Sequence, residues 1–118
     1  MTRTILLIED EPLLREVTSE DLRDLGFETA CARDGDEGIE FLQRGEPFAA
    51  LITDIRMPGA ADGWQVAERA REIWPELPVI YLSGYSNEGA SPVDGAVFVK
   101  KPYRISDIEG ALAALALI

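Results

Sequence analysis

Ala49-Ala50-Leu51-Ile52-Thr53-Asp54, followed at once by Ile55-Arg56-Met57-Pro58-Gly59, is an apolar run that stops on a carboxylate and enters a turn. A run of this length without polar alternation predicts a strand covered on both faces, and the Pro-Gly pair predicts a turn at the sheet's edge. Two further runs end in the same manner: Ile5-Leu6-Leu7-Ile8 on Glu9-Asp10-Glu11, and Val97-Phe98-Val99 on Lys100-Lys101-Pro102. In an open α/β sheet the carboxyl ends of the strands line the ligand crevice. Three strands delivering acid, acid and lysine to one rim therefore describe a site, with Asp54 at its centre.

Outward from these runs, strand and helix patterns alternate from end to end with no linker, repeat or low-complexity tract. Thr4–Ile8 reads as a buried strand. Pro12 sits where the first turn of a helix tolerates it, Leu14, Val17, Leu22 and Leu25 mark that helix's apolar face, and Gly26 is its C′ residue. Phe27–Ala32 is a short strand, and a helix from about Asp36 to Arg44 turns Ile39 and Leu42 inward before Gly45 stops it. Met57–Gly63 is a loop. The next helix, Trp64 to Trp74, carries Val66, Ala67, Ala70 and Ile73 as its inward stripe and ends at Pro75. Pro78–Leu82 and Ala96–Val99 complete five strands, and Ile105–Leu117 closes the chain as a helix with Ile105, Ile108, Leu112 and Leu115 on one side. This alternation implies an α/β fold, a single domain over residues 1–118, with a parallel sheet and helices on both faces. One stretch resists it. Between Ser83 and Lys101 three glycines and a proline break any helical period, so a loop or one ragged turn is expected where the alternation calls for a fourth helix.

Composition narrows the chemistry. At 118 residues the chain is long enough for one real core, and 47% apolar with 28% charged residues places it among globular domains. Eleven Lys and Arg stand against 22 Asp and Glu, a net charge of −11, which argues against direct nucleic-acid binding and favours divalent cations or basic surfaces. Cys31 is the sole cysteine, so no intrachain disulfide or zinc cluster can form. No run approaches the roughly 20 apolar residues of a membrane span, and no signal-type leader opens the chain, so a reduced cytoplasmic setting is expected. Histidine is absent altogether. Any chemistry must run on carboxylates, lysine, hydroxyls and bound metal, without Ser-His or Cys-His pairs.

If the first and third strands are neighbours, Glu9, Asp10 and Asp54 meet at one edge, and their mutual repulsion calls for protons or a cation. Mg²⁺ suits such oxygen donors. Lys101 adds a positive charge and Ser83, at the end of the fourth strand, adds a hydroxyl. Together these can hold a phosphoryl group's oxygens, with Asp54 as a nucleophile able to form an acyl phosphate.

The segments Leu7-Ile8-Glu9-Asp10-Glu11-Pro12, Asp54-Ile55-Arg56-Met57-Pro58-Gly59, Ser83-Gly84 and Lys101-Pro102-Tyr103, in that order and each closing an apolar strand, resemble the two-component response-regulator receiver domains. The resemblance covers essentially the whole chain. It implies the flavodoxin-like, doubly wound five-stranded sheet of order 2-1-3-4-5. It implies a signalling switch rather than an enzyme, catalysing only its own phosphoryl transfer and dephosphorylation, with Asp54 as phosphoacceptor. The donor it implies is a phosphohistidine on a histidine kinase or histidine phosphotransfer protein. Asp10, Asp54 and the Arg56 carbonyl would ligate Mg²⁺, Glu9 would act through a water, and Lys101 and Ser83 would hold the phosphoryl group. Phe98 matches the aromatic switch position coupled to Ser83, Arg56 and Tyr85 could tune the lifetime of the acyl phosphate, and a cis Lys101–Pro102 bond is expected. Ser83 stands where threonine is commoner, and the loop after Asp54 is one residue longer than usual. Pro78–Tyr85 is similar to a stand-alone receiver subgroup with a reduced fourth helix.

Plainer readings stand beside these. Asp54 alone could be a turn aspartate, Lys101 a surface charge, Ser83 a turn serine, Glu11 a helix N-terminal charge, and Phe98 simple core packing. Trp64, Val66 and Ile73 read as core or helix-face residues. A haloacid-dehalogenase-type phosphatase would need a second Asp two residues after Asp54, where this chain has Arg56. The remaining alternatives are a receiver excised from a hybrid histidine kinase or longer regulator, and a receiver fold kept as a non-phosphorylated interaction module.

Overall fold

The computed structural model describes residues 3–84 and 90–118. Strands β1 (Arg3–Ile8), β2 (Phe27–Ala32), β3 (Ala50–Asp54), β4 (Val79–Ser83) and β5 (Val97–Lys100) are joined by helices α1 (Pro12–Asp24), α2 (Gly35–Gln43) and α3 (Gly63–Ile73), and α4 (Ile105–Ala114) follows β5. All the strand pairs are parallel, in the order β2-β1-β3-β4-β5. The expected flavodoxin-like sheet is present.

Strand alternation sorts the buried side chains into two layers. Leu6, Ile8, Leu51, Val79 and Tyr81 face α2 and α3, packing with Leu42, Trp64, Val66, Ala67 and Ala70. Ile5, Leu7, Ile52, Ile80 and Leu82 face α1 and α4, packing with Leu22, Ile108 and Leu112. Helices on both sides cover both faces of β1, β3 and β4, which is why these sequences read as unbroken apolar runs.

Three strands extend one residue past their expected ends. Asp54 pairs with Leu82 and Ser83 with Lys100, so the parallel ladder runs through the polar and charged residues that close the strands.

Helix limits move for capping reasons. The Asp34 carboxylate accepts from Glu37 N at 2.8 Å, so α2 starts at Gly35. Asp62 and Gln65 form a reciprocal capping box that starts α3 at Gly63. The last helix stops at Ala114, three residues short of Leu117. Ala116 takes φ 60°, and the N–H groups of Ala116 and Leu117 donate back to Ala113 O and Leu112 O at 3.0 and 2.8 Å, the Schellman arrangement.

Two apolar residues expected inside lie outside. Val17 is 46% exposed and Ile73 45%. Helix α1 is turned by about one residue from its apolar stripe, so Thr18, Ser19 and Leu22 face the sheet. The Ser19 and Thr29 hydroxyls bond each other at 2.5 Å, which makes a polar inward face tolerable. Ile73 lies in the last turn of α3.

Between β4 and β5, the described residues Gly84 and 90–96 contain no helix, only a turn at Asp94 and Gly95. The buried Tyr81 hydroxyl accepts from Val93 N at 3.1 Å. Arg71 on α3 donates through Nε to Leu77 O at 2.7 Å and through Nη2 to Asp94 O at 2.8 Å. The connection is thus tied to β4 and α3 by polar contacts.

Candidate functional site

The sheet's winding reverses between β1 and β3, and the loops leaving their carboxyl ends part to opposite faces, opening a crevice. Glu9 and Asp10 follow β1, and Asp54 ends β3. Carboxylate oxygens of these three residues lie within 4.8 Å of one another. Glu9 and Asp54 are buried, while Asp10 is exposed. Gly63 N–H donates to Ile55 O at 2.7 Å and closes the loop after Asp54. A Cβ at Gly63 would stand 2.1 Å from the Asp54 carbonyl, so only glycine permits this approach.

Lys101, from the loop after β5, reaches into the cluster. Its ammonium lies 2.5 Å from Asp54 Oδ1 and 3.2 Å from Glu9 Oε1. Its backbone N–H donates to Ser83 O at 2.7 Å, and the Lys101–Pro102 peptide is cis. Asp10 N–H donates to Asp54 Oδ2 and Glu11 N–H to Glu9 Oε2, both at 3.2 Å. Burial, then the neighbouring Glu9, pushes the Asp54 carboxyl up to about 8, with Lys101 pulling the other way. Partial desolvation works against ionised Asp10 as well, exposed though it is, but hydrogen bonds involving Asp54 and Glu9 hold it below the usual range. Desolvation lowers Lys101, yet Asp54 and Glu9 outweigh it and raise the ammonium above its ordinary value. Charge compensation is therefore built in but incomplete. Glu9 Oε1 and Asp54 Oδ1 are buried without a directed hydrogen bond, close to Lys101 only as ion pairs.

Residues 5–113 match the response regulator receiver domain family. The chain belongs to that family. It is 33% identical over 110 residues to the response regulator receiver protein CpdR of Brucella abortus, covering 90% of each chain. Its fold is similar to a response regulator receiver protein from Sinorhizobium medicae, at TM-score 0.91 and 34% identity over 97% of this chain and 94% of that one. The receiver domain of the hybrid histidine kinase CckA is similar at TM-score 0.80 and 28% identity, over 98% and 99% of the two chains. Receiver domains are phosphorylation-dependent signalling switches that bind Mg²⁺ at an acidic pocket and interact with histidine kinases or phosphotransfer proteins.

In this receiver domain the donor set fits that ion: three clustered carboxylates facing the one ammonium of Lys101 leave negative charge that a hard cation compensates. Ser83 ends β4, half-buried at the same rim. Phe98 pairs with Tyr81 in register and lies on the α2/α3 face, as Ser83 does by alternation. Phe98 is 39% exposed, and its ring centroid lies 5.2 Å from that of Tyr81 and 6.0 Å from that of Trp64. Arg56 is exposed just beyond Asp54, and Tyr85 lies outside the described residues. No described helix is long and apolar enough to cross a membrane.

Several contributors carry little sequence signal of their own. Asp36 on α2 accepts from Ala60 N and Ala61 N at 3.3 and 3.2 Å, bracing the loop after Asp54. Thr18 and Tyr103 meet behind the site at 2.6 Å. The signal that exists is weak: an aspartate in a first helical turn, and a threonine on a face that periodicity would fill with an apolar residue.

Proposed function

We propose that Asp54 accepts a phosphoryl group from a phosphohistidine on a histidine kinase or phosphotransfer protein, and that the added charge switches the domain. The carrying observation is the Lys101 ammonium held between buried Asp54 and Glu9, with Asp10 beside them. An Asp54 carboxylate oxygen attacks phosphorus, the P–N bond breaks, and its electron pair leaves on the imidazole, which takes up a proton. Lys101 and the Ser83 hydroxyl hold the transferred group's oxygens as charge moves onto them. Asp10, Asp54 and the Arg56 carbonyl would ligate Mg²⁺, with Glu9 acting through a water; the ion would neutralise charge shared by carboxylates and phosphate. Ser83 and Phe98, on one face of neighbouring strands, form the switch pair, and the Arg56 side chain at the rim tunes the lifetime of the acyl phosphate. The intact acidic set favours this reading over a non-phosphorylated interaction module.

Incubation with Mg²⁺ and acetyl phosphate, followed by intact mass, tests the assignment. One phosphoryl adduct on the wild type and none on Asp54→Asn is expected. An undiminished adduct on the variant would sink the assignment.

A further inference from the structure

Two loops converge on the site: the acidic one after β1, with Glu9 and Asp10, and the one after β5, with Lys101. Both are tied to α1 behind the site. Arg15 Nη1 donates to the Glu9 carbonyl at 2.9 Å. One turn further along α1, the Thr18 hydroxyl meets the Tyr103 hydroxyl at 2.6 Å, across 85 residues of sequence. Residues 15 and 18 are neighbours on a helix surface, so one face of α1 braces both loops.

Thr18 is buried, and Tyr103 packs half-buried against the core layer between the sheet and α4. A hydroxyl taken out of water costs free energy unless it is bonded, and a phenylalanine ring would fill the same space without that requirement. What the tyrosine oxygen adds is attachment to α1. Tyr103 follows Lys101 by two residues. The lysine stem is long and flexible, and the site holds its ammonium 2.5 Å from Asp54 and 3.2 Å from Glu9. Where the chain is held at 101–103 sets the point from which that stem starts.

We propose that the Thr18–Tyr103 hydroxyl pair positions Lys101, with α1 serving as a cross-brace that keeps the ammonium in register with Asp54 and Glu9. The inference rests on Asp54 being the phosphoacceptor. Thr18 and Tyr103 touch none of the reacting atoms; they are positioning residues that act through Lys101.

The rate of phosphoryl acceptance from acetyl phosphate, at saturating Mg²⁺, is measured for the full chain by intact mass. Tyr103→Phe and Thr18→Val are each expected to slow it by about threefold to tenfold. The double variant should be no slower than either single one, and Thr18→Ser, which keeps the hydroxyl, should restore the rate. The Lys101 Nζ resonance should shift in Tyr103→Phe, a readout independent of turnover. A wild-type rate and an unmoved Lys101 resonance, with only the melting temperature lowered, would overturn the proposal and leave Asp54 as phosphoacceptor untouched. A wild-type chain that takes no phosphoryl group would remove the phosphoacceptor reading itself, and this proposal with it.

Discussion

Asp54 is 2% exposed and holds a carboxyl pushed up to about 8 by burial and by Glu9. An unfolded aspartate releases its proton near 3.8, so between those values the unfolded chain binds fewer protons than the folded one. Stability must then fall as pH rises from about 4 to about 8 and level off above that. Asp10, held low, acts only below this window, and Lys101, held high, only above it. Without divalent cation, the melting temperature of the wild type should decline across the window, while Asp54→Asn should decline less and melt higher at pH 8. Mg²⁺ should recover much of the wild-type loss. Parallel melting curves for the two proteins would show that Asp54 carries no such strain. The identity of this residue was legible in sequence, because a carboxylate ending an apolar run is conspicuous. Its raised pKa was not, since that depends on Glu9 and Lys101 arriving from strands far away in the chain.

Elements were legible wherever a period or a cap spoke, and misread where packing overruled the period. Helix α1 shows the limit: its apolar stripe suggested Val17 inside, but Thr18 and Ser19 turn inward because Tyr103 and Thr29 satisfy their hydroxyls. No local pattern announces a partner on another element. The β4–β5 connection shows the opposite. Its glycines and proline excluded a regular helix, and the described part of that stretch has none. What holds it is Tyr81, whose hydroxyl accepts from Val93, and Arg71 from α3. Tyr81→Phe should cost about 1 kcal/mol of stability. It should also speed amide exchange at Val93 by more than the roughly fivefold that this loss gives the β1 and β3 amides, which open by global unfolding. Unchanged exchange at Val93 would mean the connection is held by its other ties alone.

Across the whole molecule the sheet separates two apolar layers of comparable size, one against α2 and α3 and one against α1 and α4. Leu22 and Leu42, on opposite sides and each no more than 1% exposed, should each cost about 2–5 kcal/mol when cut to alanine. Urea unfolding should remain a single transition in both variants; a second transition in either would show that the layers fold apart. Unbroken apolar strands, alternating helices and charged strand ends were enough to specify a parallel sheet with helices on both faces and a crevice at its carboxyl edge, since covered strands and right-handed crossovers leave few arrangements; the doubly wound strand order came from the resemblance to receiver domains. Local sequence also named Asp54, Glu9, Asp10 and Lys101. It could not set the distances among them, the protonation of Asp54, the rotation of α1, or the brace of Thr18 on Tyr103. Those depend on side chains brought together from opposite ends of the chain, and their energies exist only once water has been excluded between them.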